Sequence, residues 1–294
     1  MYDVIIIGKG PAGISASLYT TRANLKTLII GKDESALRKA AKIENYFGFA
    51  EPVSGEHLLQ EGEKQAHKLG AYFLDEEVIS IENKDAIFEV ATSKGVYKGI
   101  ALLIATGQPQ KPVRLKNIKK FEGNGISYCS TCDGFFYKDL KVGVLGNKDY
   151  AIHEAMELTT YTQNITIYTN GKKFDLSEKF NKEASKFKFN EKAIEKVDGE
   201  NFLQRIYFND GTNEEIDGLF IANDSASSID FARKLGVIAR ENSIVVDEYQ
   251  MTNVEGLFAA GDCTGGFKQV STAVGQGALA GKKISEYIRN QKKI

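Results

Sequence analysis

A short apolar strand that runs into a glycine turn and then a helix constrains this chain more than any other feature, because the chain uses it twice. Val4 to Ile7 is an apolar, largely β-branched run, followed at once by Gly8-Lys9-Gly10-Pro11-Ala12-Gly13. A helical stretch from about Ile14 to Arg22 and a second apolar run, Thr27 to Ile30, complete a strand, turn, helix and strand within roughly 30 residues, the opening of a dinucleotide-binding unit. Gly8 permits the tight turn, Gly10 lacks a Cβ and lets the backbone approach a pyrophosphate, and Gly13 lets helix and strand pack closely. The free N–H groups and dipole at the start of the helix then favour phosphate. A glycine turn alone also suits an α/β fold with no ligand; its place between strand and helix is what favours a nucleotide.

The second copy begins at Val142-Gly143-Val144-Leu145, continues through Gly146-Asn147-Lys148-Asp149-Tyr150-Ala151 and a helix from about Ile152 to Thr160, and ends on Ile165-Thr166-Ile167-Tyr168. Gly8 maps to Gly146 and Gly13 to Ala151, but Gly10 maps to Lys148. The glycine that allows close pyrophosphate approach is therefore missing from the inner copy. The expected fold is α/β, with two Rossmann-like, three-layer ββα domains of the dinucleotide-binding type, the second inserted in the first. The first domain is expected over residues 1–116 and 243–294, the middle domain over 117–242. Another apolar–glycine block, Gly256 to Asp262, and a terminal helix belong to the returning segment. Two of the four prolines lie between Gln108 and Pro112 and suit a hinge.

Bulk composition excludes several classes. With 294 residues, the chain can bury a large core without disulfide staples. A formal net charge of −1 argues against general nucleic-acid or polybasic membrane binding. No apolar run reaches the ~18 residues of a membrane span. Lysines and phenylalanines alternate between Lys179 and Phe189, which reads as an amphipathic solvated element before a basic nucleic-acid stripe. No basic, apolar leader precedes the first strand, so a cytoplasmic location is expected.

The three cysteines are Cys129, Cys132 and Cys263, too few for a secreted disulfide framework. Cys129-Ser130-Thr131-Cys132-Asp133-Gly134 is the most chemical segment. Two intervening residues let the thiols close a small reducible disulfide, and such pairs often carry lowered thiol pKa values. Asp133 stands where it can move a proton to or from a sulfur. Zinc is the main rival, but structural zinc usually needs a second Cys or His pair, and His57, His67 and His153 form no paired motif. An inert buried pair is the other alternative. Cys263, after Gly261-Asp262, reads as a small apolar filler.

Over nearly its whole length the chain resembles the low-molecular-weight flavin thioredoxin reductases. Gly8 to Gly13 looks like their first FAD motif, Ile43-Glu44-Asn45-Tyr46-Phe47-Gly48-Phe49 like their flavin-proximal segment, and Ile104-Ala105-Thr106-Gly107 like the strand end that closes the FAD domain. Ile126 through Phe136 is close to the redox-active segment. Gly261-Asp262 looks like the pyrophosphate and ribityl motif, and Lys268-Gln269-Val270 stands where the family usually has Arg-Gln and a small or apolar residue. The resemblance implies FAD as cofactor. Its expected contacts are Gly8, Gly10, Pro11, Ala12, Gly13, Gly31, Lys32, Asn45, Val78, Ala105, Thr106, Gly107, Gly261, Asp262, Lys268, Gln269 and Val270. It also implies electron flow from reduced flavin to the Cys129–Cys132 disulfide. Cys132 is expected to face the flavin, Cys129 to attack the disulfide of thioredoxin, and Asp133 to exchange the proton. A rotating middle domain and a homodimer complete the family picture.

Departures from the family concern the electron donor. Members that use NADPH keep an intact glycine turn in the middle domain and a basic cluster after the next strand. Here the turn carries Lys148, and Tyr168 is followed by Thr169-Asn170-Gly171-Lys172-Lys173, without arginine. Lysine meets a phosphate as a point charge and lacks the bidentate fork of arginine. Asn223-Asp224-Ser225-Ala226 replaces a glycine-containing turn and adds an acidic residue. Losing close approach and a bidentate clamp costs about 1–3 kcal/mol each. The combined weakening of NADPH binding is ~10²–10⁴-fold. The pattern is that of a family branch that takes electrons from reduced ferredoxin, and this donor is expected here. NADPH use through Lys148, Lys172 and Lys173, reduction of another disulfide protein, and a redox sensor are the alternatives. At the adenosine end, Ile30 is followed by Gly31-Lys32-Asp33 where the family has an acidic residue, and Asp33 is the candidate substitute. Ser35-Ala36-Leu37-Arg38 replaces the family's Gly-Gly-Gln-Leu segment.

Overall fold

Apolar residues dominate each strand that meets a glycine turn, and those strands become the centres of two parallel sheets. The structure is a computed structural model and describes residues 1–32, 35–107, 113–222, 227–240 and 242–292. Asp33, the proline-rich stretch 108–112 and residues 223–226 lie outside the described residues. The chain forms two units, Met1–Pro109 with Ser227–Ile294, and Gln110–Ala226. The second unit thus begins and ends earlier than the sequence boundaries of 117 and 242. The reason at the later boundary is local. Ser227 caps a helix, its side chain accepting from the Asp230 N–H while the Asp230 carboxylate accepts from the Ser227 N–H. That helix packs on strands of the first unit.

In chain order, the first unit starts with β1 (Tyr2–Ile7), α1 (Pro11–Arg22), β2 (Thr27–Ile30), α2 (Gly55–Lys68), β3 (Tyr72–Leu74), β4 (Val78–Lys84), β5 (Ile87–Thr92) and β6 (Val96–Ile104). The second unit holds β7 (Ile126–Ser127), α3 (Ser130–Asp133), β8 (Val142–Leu145), α4 (Asp149–Leu158), β9 (Ile165–Tyr168), α5 (Glu178–Ala184), β10 (Lys188–Asn190), β11 (Ile194–Asp198), β12 (Arg205–Phe208), β13 (Asn213–Glu215) and β14 (Gly218–Ile221). The returning segment adds α6 (Ser228–Lys234), β15 (Ala239–Arg240), β16 (Ser243–Ile244), β17 (Leu257–Ala259) and α7 (Val270–Gln291) to the first unit.

The first unit's sheet runs β3-β2-β1-β6-β5-β4, with β17 also paired to β6. Long β6 serves two roles on its outer edge. Its first half pairs antiparallel with β5, its last residues pair parallel with β17, and β1 lies along the other edge. Strands β1, β2 and β17 and the last residues of β6 are parallel and almost wholly buried, as strands covered on both faces must be. Their ends deliver Gly8, Gly31, Ala105 and Ala260 to one edge. Helix α7 lies against α1 because two glycines let it. A Cβ on Gly277 would meet the Ala12 carbonyl oxygen at 2.2 Å, and one on Gly281 would meet that of Ala16 at 2.5 Å. Ile284 and Ile288 continue that seam into the core, with Val4, Ile6, Ile29 and Leu103.

The second unit repeats the plan with a five-stranded sheet in the order β10-β9-β8-β14-β7, every pairing parallel. A three-stranded antiparallel sheet, β11-β12-β13, packs Val197, Ile206 and Phe208 against Leu145, Tyr168 and Leu219. The lysine–phenylalanine stretch becomes α5 followed by β10; Phe180 and Ala184 face inward while Lys179 and Lys182 stay exposed. Among the described residues, no helix is long and apolar enough to cross a membrane.

Candidate functional site

Each unit offers one chemically distinctive edge, and the two differ in ways the residues explain. In the first unit, Gly8 sits at φ +117°, and a Cβ there would lie 2.2 Å from the Ala105 carbonyl oxygen. The turn after β1 therefore closes directly on the end of β6. Gly13 is equally tight against the Gly8 carbonyl oxygen, at 2.1 Å from an added Cβ. Gly10, by contrast, has no heavy atom within 4 Å of where a Cβ would stand. Its side is open, as a site for backbone approach to a ligand requires. Gly10 caps α1 without a side-chain bond, Pro11 follows at the first helical position, Ala12 is buried behind it, and the first turn contains no acidic residue. The N–H groups at this helix start have no competing carboxylate in that turn.

The other expected cofactor contacts lie in the same unit. Gly31 packs on Lys9, an added Cβ meeting the Lys9 N and Cγ at 3.2 Å. Lys9 pairs with Asp75 at 3.3 Å, and Lys32 pairs with Glu77. Val78 opens β4 and is buried. Ala105, Thr106 and Gly107 leave β6. Thr106 has a buried hydroxyl oxygen with no hydrogen-bond partner, and Gly107 adopts φ +77°. Gly261 leaves β17 at φ +86°, touches Ala12, and donates its N–H to Gln276 Oε1 at 2.8 Å, with Asp262 half-buried beside it. Asn45 Nδ2 donates to Gln269 Oε1 at 3.0 Å, joining the 43–53 loop to the start of α7. Lys268 is exposed, and Val270 begins α7. An edge at the carboxyl ends of parallel strands, with an open glycine, an uncontested helix start and an orphaned buried hydroxyl, fits a dinucleotide.

The second unit's equivalent turn is closed by the chain itself. Asn147 is buried; its Nδ2 donates to the Lys173 carbonyl at 2.8 Å, and its own carbonyl accepts the Asp175 N–H at 2.9 Å. Lys148 forms a parallel bridge with Asp175. Asp149 is the first residue of α4, is buried, and accepts the Ser177 N–H through Oδ1 at 2.8 Å. Residues 173–177 therefore lie as a strap along the turn, and a carboxylate occupies the first turn of α4. Phosphate would meet that negative charge where α1 presents none. Lys148 is the residue that the sequence marks here; the strap of residues 173–177 carries no such mark, because backbone pairing leaves no residue-type signal.

The cysteine pair also belongs to the second unit. Cys129 caps α3, and the two sulfurs are joined at 2.06 Å with Cα atoms 5.3 Å apart. Cys129 is buried and Cys132 exposed; the Cys132 N–H donates to Cys129 Sγ at 3.1 Å. Asp133, half-buried, accepts a 2.7 Å bond from the Ser127 hydroxyl through Oδ2, and the same Ser127 oxygen accepts the Cys129 N–H at 3.1 Å. One buried serine thus ties the carboxylate to the first cysteine's backbone. Burial first, and the Asp133 charge second, push the Tyr137 phenol above its ordinary range. Ser130, between the cysteines, is bound by the buried Glu154 of α4. Cys263 is fully buried and free, its thiol pushed up to about 12 by burial. Among the described residues, no group of three or more His, Cys, Asp or Glu side chains is placed to hold a metal ion. A reducible disulfide beside a fixed carboxylate can carry thiol–disulfide exchange with proton transfer.

Comparison with known proteins points the same way. The sequence model of the pyridine nucleotide-disulphide oxidoreductase family matches residues 2–277. A thioredoxin reductase of Aquifex aeolicus is 34% identical over 309 residues, covering 100% of this chain and 95% of that protein. The crystal structure of the atypical thioredoxin reductase TRi from Desulfovibrio vulgaris Hildenborough is 39% identical, with a TM-score of 0.95 and full coverage of both chains. A ferredoxin-flavin thioredoxin reductase from Clostridium acetobutylicum is 27% identical, with a TM-score of 0.71 and 98% coverage of each chain.

Proposed function

The chain belongs to the thioredoxin reductases of the pyridine nucleotide-disulphide oxidoreductase family, and from that premise we propose that its electrons come from reduced ferredoxin rather than from NADPH. It is a flavin disulfide oxidoreductase with FAD as cofactor and thioredoxin as substrate. The observation that carries the donor is the strap of residues 173–177 along the β8–α4 turn, together with Asp149 in the first turn of α4. A nicotinamide nucleotide needs that turn for its pyrophosphate. The similarity to a ferredoxin-flavin thioredoxin reductase of Clostridium acetobutylicum supports ferredoxin as donor, and the close fit to an atypical reductase supports an unusual one.

In this reading, the first unit holds FAD. Gly8, Gly10, Pro11, Ala12 and Gly13 receive the pyrophosphate with Gly261 and Asp262. Gly31, Lys32 and Val78 meet the adenosine end, while Asn45, Ala105, Thr106, Gly107, Lys268, Gln269 and Val270 surround the remainder. When bound, FAD supplies the conversion between single-electron and paired-electron transfer that links a ferredoxin to a disulfide. Cys129 and Cys132 alternate between disulfide and dithiol, a thiolate of the pair attacks the thioredoxin disulfide, and Asp133 takes and returns the proton at sulfur. A cytoplasmic location and a homodimer go with the reading.

Anaerobic bleaching of the flavin absorbance, with NADPH and with reduced ferredoxin in parallel, tests it. Bleaching by ferredoxin alone is expected. Fast bleaching by micromolar NADPH would make Lys148, Lys172 and Lys173 part of a working nucleotide site and end the ferredoxin proposal.

A further inference from the structure

Glu154 is a buried carboxylate to which the redox chemistry above gives no task. It lies on α4 with 2% of its surface exposed. Its Oε2 accepts the Ser130 N–H at 3.2 Å and the Ser130 hydroxyl at 2.8 Å, and its Oε1 is 3.5 Å from His153 Nδ1. Ser130 is itself fully buried and is the first residue of α3, directly after Cys129. The N–H of a first helical residue has no partner within its helix. Here Glu154 provides one, while the Cys132 N–H goes to Cys129 Sγ. A carboxylate so enclosed persists as an anion only where donors hold it. Both Ser130 donors come from the dipeptide that separates the two sulfurs.

We propose that Glu154 is a positioning residue for the Cys129–Cys132 pair: it holds the backbone between the sulfurs, and its charge disfavours the dithiol, so that the reduced pair gives up electrons more readily. Reduction by dithiothreitol breaks the Cys129–Cys132 bond and closes the cyclic dithiothreitol disulfide, moving two electrons and two protons. When one of the cysteines ionises, its thiolate flanks the dipeptide that Glu154 grips through Ser130, and like-charge repulsion draws the equilibrium back toward the protein disulfide. The inference rests on the reading of this pair as redox-active.

Full-length flavoprotein is equilibrated anaerobically in dithiothreitol redox buffers, quenched in acid, alkylated and weighed by mass spectrometry. Glu154→Gln keeps an acceptor oxygen for Ser130 and removes the charge. Its equilibrium constant for reduction is expected to rise about tenfold, which is about 30 mV for a two-electron couple. A change below twofold, or a fall, overturns the inference. If Glu154→Gln does not fold, Ser130→Ala carries the test. It removes the hydroxyl that stabilises the anion, and a rise of about threefold is expected; no rise, or a fall, overturns the inference. The parent separates the two levels: a parent that cannot reduce thioredoxin overturns the redox reading, whereas an active parent with an unchanged Glu154→Gln constant overturns this inference alone.

Discussion

The Ser127 hydroxyl donates to Asp133 Oδ2 at 2.7 Å, while its oxygen accepts the Cys129 N–H, so the acid and the first cysteine share one anchor. Asp133→Asn removes the proton carrier and is expected to slow thioredoxin reduction by ~10²–10⁴-fold. Ser127→Ala leaves the carboxylate but frees it, and a smaller loss, about tenfold, is expected. Steady-state turnover with thioredoxin measures both, and equal losses would mean that Ser127 does more than hold Asp133.

Two glycines in the first turn separate folding from cofactor binding. Gly8→Ala drives a Cβ into the Ala105 carbonyl at a positive φ and should destabilise the protein by about 2–5 kcal/mol. Gly10→Ala meets open space in an extended backbone and should leave stability unchanged within about 1 kcal/mol. It should nevertheless speed FAD release, because the methyl group stands where the pyrophosphate approaches. Urea midpoints and the rise of free-flavin fluorescence read the two effects separately.

Restoring the missing glycine should not restore nicotinamide use. Lys148→Gly recreates the spacing of the first copy, but residues 173–177 and Asp149 still close the turn. NADPH is expected to bleach the flavin of this variant within threefold of the parent rate. A hundredfold gain would show that Lys148 alone had blocked the site.

Cys263 should stay silent while the redox pair reacts. Burial raises its thiol to about 12, so the thiol form persists at every pH below that value and the reactive thiolate is scarce. After mild reduction at pH 8, iodoacetamide is expected to label the Cys129/Cys132 pair and spare Cys263 until the protein is unfolded. Peptide mass spectrometry identifies the labelled positions. Early labelling of Cys263 would contradict its enclosure.

Much of this was legible in the chain because glycines and β-branched runs act locally. The Thr27 to Ile30, Val142 to Leu145 and Ile165 to Tyr168 runs coincide with β2, β8 and β9, and the first strand differs only by including Tyr2 and Asp3. Both helices after the glycine turns start earlier than expected, at Pro11 and Asp149, since the first helical residues carry capping signals and not apolar periodicity. The site was less legible wherever it depends on contacts between distant residues. Glu154 sits in an ordinary amphipathic helix, 24 positions from Ser130. Asn147 and Asp149 look like turn residues until residues 173–177 arrive beside them. Position 33 and the stretches 108–112 and 223–226 lie outside the described residues.

The packing of α7 on α1 has a consequence for the order in which the chain is made. Ala12 and Ala16 leave the ribosome long before the backbone that closes over them, which carries Gly277 and Gly281. The second unit is one continuous segment and can fold as soon as its own strands are out. The first must wait for α7. At roughly 5–20 residues per second, this leaves the β1–α1 surface uncovered for many seconds while the inner unit is completed. During synthesis, the inserted unit is therefore the earlier one to mature, and the outer unit the longer client of whatever protects nascent chains.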